Sequence, residues 1–217
     1  MFIVIDWIDG SGKWTQVKLI SEYLESIWKK VKVLDYPRYD EQSSFMVKKY
    51  LNWEYWKEVS ARLASIFYAI DRYESSFDIR KDFETYDYII SNRYVSASMI
   101  HQTGKIEDPD ERKAFLDWEY DLEYNIFGIP KADKVIFLDV PPDVSQKLLA
   151  TKEKREYIKN STNLDLHEAD KNHLLKARNA AIEVCEMYND WTRLDCTKDW
   201  EILSIEEIKN MILAEIL

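Results

Sequence analysis

Glycine is scarce in this sequence. The chain of 217 residues contains 4 glycines, whereas an average composition of about 7% would give about 15. Tryptophan, usually among the rarest residues, occurs 8 times. This imbalance matters because glycine is the residue that tight turns and close approaches of the backbone to a ligand require. The few glycines that remain therefore show where such a site is expected.

Other shortages exclude whole classes of function. The two cysteines, Cys185 and Cys196, favour reduced thiols over a disulfide or a metal site, and no histidine spacing indicates metal ligands. The opening apolar run, MFIVID, is too short for a signal peptide or a membrane span. We therefore expect a cytoplasmic protein without a membrane partner. The net charge of −10 argues against a nucleic-acid partner, which needs a clustered basic surface.

Short apolar runs alternate with longer amphipathic segments along the whole chain. The short runs, bounded by polar or turn residues, predict strands at 2–6, 31–36, 86–91, 134–140 and 191–196. The amphipathic segments predict helices at about 13–28, 42–51, 58–80, 95–103, 110–125, 142–151, 167–189 and 203–216. This alternation predicts a three-layer α/β fold with a five-stranded parallel sheet and helices on both faces. We expect one domain, 1–217, with a small mobile lid at about 152–168.

The stretch DWIDGSGKWT, between the first strand and the first helix, resembles a phosphate-binding loop. The pattern G-x-x-x-x-G-K-[ST] needs a glycine and a lysine where Gly12 and Lys13 stand. Backbone N–H groups of such a loop and of the following helix bind an anion. An ordinary turn with a solvated lysine is the alternative. We predict a P-loop NTPase fold, and the residues expected to bind ATP are Trp7, Ile8, Asp9, Gly10, Ser11, Gly12, Lys13, Trp14 and Thr15.

Two bulky residues stand in this loop where it has the least room. Trp7 occupies the opening glycine position of the pattern. Trp14 follows the lysine, where a hydroxyl residue or a glycine is usual. We expect an indole at either position to collide with the phosphates or to force the loop open. As written, the loop should bind nucleotide poorly.

Four further tryptophans stand where backbone geometry favours glycine. Trp28 ends a predicted helix, Trp53 and Trp56 lie in a predicted connection, and Trp200 follows an aspartate before the last helix. Reading all six as glycine would raise the glycine count from 4 to 10 and lower the tryptophan count from 8 to 2. Our hypothesis is that the six are glycines in the native protein. A UGA codon, which some bacterial lineages assign to glycine, would then have been translated as tryptophan.

Further segments extend the likeness beyond the loop. YPRY at 36–39, FYAIDRYES at 67–75, SNRYVSASMIHQTGKI at 91–106 and FGIPKADKVIFLDVPPDVS at 127–145 resemble thymidylate kinases, in the order of that family. The resemblance implies transfer of the terminal phosphoryl group of ATP to dTMP, giving dTDP. It also implies Mg²⁺ as the cofactor and a homodimer as the assembly.

The resemblance also assigns roles to single residues. Tyr68 is expected to stack on the thymine and Arg72 to bind the base edge, while Arg38 and Arg93 are expected to contact phosphate. Asn92 replaces the aspartate that is usual before Arg93. The full dTMP site implied is Asp9, Arg38, Tyr68, Arg72, Arg93, Ser98 and Gln102.

The expected catalytic group combines cations with one carboxylate. Phosphoryl transfer depends mainly on positioning and on neutralising charge, so several cations must converge on the phosphates. Arg155, in the predicted lid, is chosen as the transition-state cation because its planar fork suits phosphate oxygens. No protein side chain is assigned to the metal. The catalytic residues expected are Lys13, Arg93, Arg155 and Asp9.

Alternatives stay open at this level. Tyr68 also suits a core aromatic, Arg72 suits a surface ion pair with Asp71 and Glu74, and the run around Arg155 suits a solvated helix end. A kinase for another nucleotide or deoxynucleoside shares the phosphate loop. If Trp7 and Trp14 are genuine, a catalytically inactive P-loop scaffold becomes the alternative from a different class.

Overall fold

The fold is built around one parallel sheet. The computed structural model describes residues 1–7, 12–52, 54, 55, 58–146 and 171–217. The five strands of the sheet follow the order β2-β3-β1-β4-β5, with every neighbouring pair parallel. They are β1 (Phe2–Asp6), β2 (Val31–Asp35), β3 (Tyr88–Asn92), β4 (Lys134–Asp139) and β5 (Trp191–Asp195). The predicted five-stranded parallel α/β fold is confirmed.

Helices connect and cover these strands. They are α1 (Lys13–Ser26), α2 (Phe45–Leu51), α3 (Ala61–Thr85), α4 (Val95–Thr103), α5 (Pro109–Tyr120), α6 (Lys171–Met187) and α7 (Ile205–Ile216). Several begin at a side chain that satisfies a free backbone N–H. Ser60 caps α3, Asp108 caps α5, and Ser204 forms a capping box with Glu207 at α7. Within the described ranges, no helix has both the length and the apolar character needed to cross a membrane.

The hydrophobic core lies on both faces of the sheet. β1 is buried along its whole length, and all but the first residue of β4 are buried, which fits strands that helices cover on two sides. A smaller cluster packs α2 against α3 through Val47, Tyr50 and Phe67. Both cysteines are free thiols, as predicted.

The segment predicted as one helix at 110–125 is interrupted. Helix α5 ends at Tyr120, and a π-helical turn runs from Asp121 to Ile126. The N–H of Phe127 donates to the carbonyl of Leu122, five residues back, which is the π-helical spacing. Apolar periodicity does not distinguish a π-helical turn from a regular one, so this turn could not be predicted from the pattern.

Among the unusual tryptophans that the structure describes, Trp28 and Trp200 occupy left-handed backbone positions. Trp28 follows α1 with φ 65°, and the N–H groups of Trp28 and Lys29 donate to Glu25 and Leu24. This is the Schellman pattern, whose left-handed residue is usually glycine. Strands β6 (Thr197–Lys198) and β7 (Glu201–Ile202) form a hairpin absent from the sequence prediction. Its turn has φ 51° at Asp199 and 64° at Trp200, values that suit Asp-Gly.

Candidate active site

The carboxyl edge of the sheet brings the phosphate-loop residues to the start of α1. Gly12 precedes the helix with φ 87°, a conformation that glycine adopts without strain. Lys13 is the first residue of α1 and is buried. The four loop residues at 8–11, which include Asp9, lie outside the described residues. Lys13 therefore stands at the N-terminus of a helix, where the N–H groups and the helix dipole favour an anion.

Asp6, the last residue of β1, is a buried carboxylate that the sequence analysis missed. It accepts hydrogen bonds from the N–H of Trp7 at 2.7 Å and from the hydroxyl of Ser96. Burial raises the pKa of Asp6, while Arg93, Ser96 and Lys13 act to lower it. The signal in the sequence was a single carboxylate at the carboxyl end of a buried strand, which is where ligands bind in parallel sheets.

Arg93 follows β3 at the same edge. Its φ is 63°, a strained value for a residue other than glycine, and its N–H donates to the carbonyl of Ile5. Beside it, the amide nitrogen of Asn92 donates to the carboxylate of Asp35 at 2.7 Å. An aspartate at position 92 would instead face Asp35 as a like charge. The asparagine thus fits a neighbouring strand that itself ends in a carboxylate.

The indole of Trp7 packs against β4 and the residue that follows it. It is completely buried, its Nε1 donates to the carbonyl of Val140 at 2.6 Å, and its ring meets Phe137 edge-on. Residues 8–11 lie outside the described residues, so the expected conflict between this indole and the phosphates, or an opening of the loop, stays a prediction. Trp14 differs, because it is exposed in the first turn of α1 next to Lys13. Trp53 and Trp56 lie outside the described residues.

Arg38 is held by the acidic residues of α3. Its Nε donates to Asp71 at 3.1 Å, its Nη2 donates to Ser43 at 3.0 Å, and the same Nη2 pairs with Glu74. The alternative that Arg72 forms a surface ion pair with Asp71 and Glu74 is wrong, because these carboxylates bind Arg38 instead.

Arg72 is buried on the other side of α3. Its Nη2 donates to the hydroxyl of Ser98 at 2.9 Å, and its Nη1 donates to the carbonyl of Tyr94 at 3.2 Å. Two buried glutamates from α5 and the π-helical turn, Glu119 and Glu123, complete the surroundings of its guanidinium. The structure thus brings Arg72 and Ser98 into direct contact, as two residues of one pocket require.

Tyr68 and Gln102 lie around the same region. Tyr68 is half-buried, packs on the small hydrophobic cluster and meets Tyr50 edge-on. Gln102 is buried, and its side-chain oxygen accepts from Lys105 Nζ at 2.7 Å. Lys105 also contacts the hydroxyl of Tyr50, and burial lowers the pKa of Lys105 to about 8. Lys105 lies in the segment 91–106 that carries the family resemblance, but the sequence assigned it no role.

Comparison with known proteins identifies the family of this chain. A family model described as thymidylate kinase matches residues 5–202. The chain belongs to the thymidylate kinase family. It is 27% identical over 217 residues to a probable thymidylate kinase of Methanocaldococcus jannaschii, covering 99% of this chain and 94% of that protein. It is 26% identical over 222 residues to the thymidylate kinase of Plasmodium falciparum, with 99% and 89% covered.

A solved structure supports the fold of this thymidylate kinase family member. The thymidylate kinase from Candida albicans matches with a TM-score of 0.73, covering 99% of this chain and 90% of that one. The two sequences are 18% identical, so the match concerns the architecture. The sequence prediction of the family and of its P-loop fold is confirmed.

Two expected parts of the thymidylate kinase site lie outside the described residues. Arg155 and the predicted lid at 152–168 fall in the gap at 147–170, and Asp9 falls in the gap at 8–11. Across the described ranges, no group of three or more His, Cys, Asp or Glu side chains is arranged to hold a metal ion.

Proposed function

We propose that this chain transfers the terminal phosphoryl group of ATP to dTMP, giving dTDP for dTTP synthesis. The observation that supports it most is the arrangement at one edge of the sheet. Lys13 and Arg93 lie close enough to Asp6 to act on its pKa. Arg72 donates to the carbonyl of Tyr94, the residue after Arg93. A phosphate-binding end and a base-binding end thus adjoin each other.

The phosphate end neutralises and orients the reacting groups. Lys13 and the N–H groups at the start of α1 are proposed to hold the outer phosphates of ATP, and Arg93 the phosphates from the acceptor side. The loop residues 7–12 with Trp14 and Thr15 complete the ATP contacts in this proposal. Arg155 supplies the transition-state cation from the lid. Little covalent work remains for the protein in such a transfer.

Arg38 is proposed to bind the dTMP phosphate by exchanging one partner. Its buried partner, Asp71, fixes the Nε side, whereas Glu74 is largely exposed. Exposed ion pairs contribute little stability, so a doubly charged phosphate can replace Glu74 on Nη2. Asp71 then serves to keep the guanidinium in place.

The base end is proposed to read thymine. Arg72 and Ser98 face the base edge, Gln102 adds an amide, and Tyr68 offers a ring for stacking. Because Lys105 donates to the side-chain oxygen of Gln102, the amide N–H₂ group points the other way. A base carbonyl such as thymine O4 is the complement of that N–H₂ group.

Mg²⁺ is proposed to accompany ATP. It would stabilise the charge that develops on the phosphates during transfer. Asp6 is a buried carboxylate at this edge, and carboxylate oxygen is a ligand type that Mg²⁺ takes. Asp9, in the loop, is the further carboxylate that we propose acts between the metal and the acceptor.

A homodimer in the cytoplasm is the proposed state of the protein. Helix α3 exposes an apolar stripe made of Leu63, Ile70, Tyr73 and Phe77, whose spacing places it on one side of the helix. A second copy of the chain is its proposed partner, because an antiparallel pairing of two such stripes buries both. Sedimentation of a Phe77→Asp variant as a monomer, beside a dimeric parent protein, would support this.

The test of the function is a coupled assay with ATP, Mg²⁺ and dTMP, dUMP, dCMP, AMP or GMP as acceptor. We expect the highest kcat/KM with dTMP. Preference for a purine would overturn the thymidylate assignment in favour of another nucleotide kinase. Failure with every acceptor, together with failure to bind ATP, would favour the inactive scaffold.

The tryptophan hypothesis is tested in parallel. The codons for Trp7 and Trp14 decide it directly, since UGG at both would refute the reassignment. A variant with Trp7→Gly and Trp14→Gly should bind ATP more tightly than the sequence as written. Because the indole of Trp7 is buried, the unfolding free energy of both proteins must be measured beside the affinity.

A further inference from the structure

Arg72 is surrounded by more negative charge than it can balance. Its guanidinium is 2% exposed, and the side chains of Glu119 and Glu123 are 0% exposed. Arg72 Nε donates to Glu123 Oε1 at 2.9 Å, and Nη2 also binds that oxygen. Glu119 Oε1 lies 3.7 Å from Nη2. Two carboxyl groups thus share one guanidinium in a site without water contact.

The two glutamates differ in how well they are satisfied. Glu123 Oε1 accepts two N–H groups of Arg72, whereas neither oxygen of Glu119 has a hydrogen bond of normal geometry among the described residues, although the hydroxyl groups of Ser65 and Ser98 lie beside it. An isolated buried carboxylate is costly, and such a group takes up a proton instead. Burial and the neighbouring Glu123 together raise the pKa of Glu119 to about 7, against the opposing effect of Arg72.

Among the described residues, the other titratable groups around the cluster do not supply a charge. Tyr94, just before α4, and Tyr124, in the π-helical turn, both have pKa values raised well above the usual value by burial. Ser65 of α3 and Ser98 of α4 contribute hydroxyl groups. Burial also raises the pKa of Glu123, but its hydrogen bonds to Arg72 oppose that rise, so the balanced state is one arginine cation, one ionised Glu123 and one neutral Glu119.

The two glutamates come from the junction of α5 and the π-helical turn. Glu119 is near the end of α5 and Glu123, four residues later, is inside the turn, and both face Arg72 on α3. Single π-helical turns inside α-helices are frequent at functional sites. A buried ion pair of this kind is weak support for stability, since apolar residues of similar volume are often as stable. We therefore expect the ion pair to orient the guanidinium of Arg72 rather than to add stability.

We infer that Glu119 and Glu123 are positioning residues for base recognition, with Glu123 as the anion that aims Arg72 and Glu119 as a carboxylic acid that must keep its proton. The inference rests on the proposed function, because it takes Arg72 as a reader of the pyrimidine base. Glu123 and Ser98 occupy the Nε and Nη2 donors, and Tyr94 takes one Nη1 proton. The second Nη1 proton is then directed at a base carbonyl.

Ionisation of Glu119 should change the orientation of the Arg72 guanidinium. An ionised Glu119 would attract Nη2 toward itself and away from Ser98, which turns the guanidinium. Below pH 7 the acid is neutral and the pocket is intact. At pH 8 only about a tenth of a group with a pKa near 7 retains its proton. The KM for dTMP should therefore rise up to about tenfold between pH 6.5 and pH 8, with kcat nearly constant.

Glu119→Gln is the decisive variant, because glutamine keeps the size of the acid without titrating. We expect it to match the parent protein at pH 6.5 and to keep a constant KM for dTMP up to pH 8. Lys105, with its lowered pKa, titrates in both proteins, so their difference isolates Glu119. The phosphate of dTMP, with a second pKa of about 6, is already ionised above pH 7. Asp117→Asn, an exposed change on the same helix, should retain the parent profile.

Glu123→Gln completes the test. Arg72 then has Glu119 as its remaining anion, so Glu119 should stay ionised, and the KM for dTMP should be raised at least about tenfold at every pH. A Glu119→Gln protein with the parent's pH profile, or a Glu123→Gln protein with the parent's KM, would overturn the inference.

A stability measurement separates this inference from the proposed function. The folded-state pKa of Glu119 is above its unfolded value, so its contribution is fully present below about pH 4.3 and is lost as the pH rises to about 7. The unfolding free energy of the parent should fall relative to Glu119→Gln over that window. If the parent shows this fall but does not phosphorylate dTMP, the function fails while the protonated cluster stands. If the two stability curves run parallel, the cluster model is wrong even when dTMP kinase activity is present.

Discussion

The two proposed ends of the site differ in the charges that the described residues place there. At the proposed phosphate end, Lys13 and Arg93 act on the carboxylate of Asp6. At the proposed base end, Glu119 and Glu123 face one cation, Arg72. A bound phosphate would balance the positive charge of Lys13 and Arg93. A pyrimidine base is neutral, so it cannot balance the charge of Glu119 and Glu123. That charge must therefore be balanced within the protein, and a proton does this.

A group of buried side chains whose charges do not balance indicates which ligand or proton would balance them. An excess of cations at a helix N-terminus indicates an anionic ligand. An excess of carboxylates around an arginine that is already paired indicates an internal acid. The first imbalance should affect catalysis when it is altered, and the second should affect folding and base recognition.

Removing the cation of the base end should have the largest effect. Arg72→Met leaves two buried carboxyl groups without a counter-ion, so the unfolding free energy at pH 7 should fall by about 3 to 5 kcal/mol. The loss should shrink at pH 5, because burial raises the pKa of both carboxyl groups and protonation removes the charge that lacks a counter-ion. Urea denaturation at the two pH values measures it. Arg80→Met, an exposed change on α3, should cost less than about 1 kcal/mol, and equal losses for the two variants would remove the contrast between the two ends.

Removing a cation of the phosphate end should affect activity instead. Lys13→Met deletes a group proposed to meet charge that develops in the transition state, so kcat should fall about 10² to 10³-fold. The unfolding free energy without nucleotide should change little, because Arg93 still faces Asp6. Steady-state kinetics and urea denaturation of the same protein check both halves. Lys18→Met on the exposed side of α1 is the control, and a Lys13→Met protein with normal kcat would contradict the proposed role.

The proposed phosphate end could be read from the sequence more fully than the proposed base end. Lys13 belongs to a contiguous motif with fixed spacing, and the structure places it between β1 and the rest of α1, as local pattern predicts. Arg72 and Ser98 came from a family resemblance. Glu119 and Glu123 did not emerge at all, because they meet Arg72 through contacts about 50 residues apart in the chain. Periodicity contains no information about such contacts.

The strands illustrate the same limit. Their apolar runs are short and bounded, so their position follows from local pattern, and the structure agrees within a few residues. Asp6 was missed although it ends the first of these runs, because burial of a single carboxylate depends on the helices packed over it. The hairpin β6–β7 was missed because its two-residue strands are too short to show alternation, and its turn carries a tryptophan where a glycine would have marked it.

A smaller effect should follow from the orientation of Gln102. Lys105→Met frees the amide of Gln102 to rotate and to accept as well as donate, so cytosine N4–H₂ becomes a better match. The ratio of kcat/KM for dTMP over dCMP should fall about tenfold, which corresponds to about 1.4 kcal/mol. Competition assays with both nucleotides measure the ratio. Lys113→Met, exposed on α5, should leave it unchanged, and an unaltered ratio in Lys105→Met would show that Gln102 keeps its orientation without the lysine.

The smallest effect lies outside both ends. Trp28→Gly and Trp200→Gly each place glycine at a left-handed position, with φ 65° and 64°, so each should raise the unfolding free energy by about 1 kcal/mol. Neither indole is buried, which means that little packing is lost. Trp118→Gly should do the opposite, because it puts glycine inside α5 and removes a packed ring. Kinetic constants should stay at the parent values in the first two variants. If Trp28→Gly and Trp200→Gly are instead destabilised, then indoles are preferred at these turns, and the argument that backbone geometry favours glycine there fails at the two positions where it is most direct.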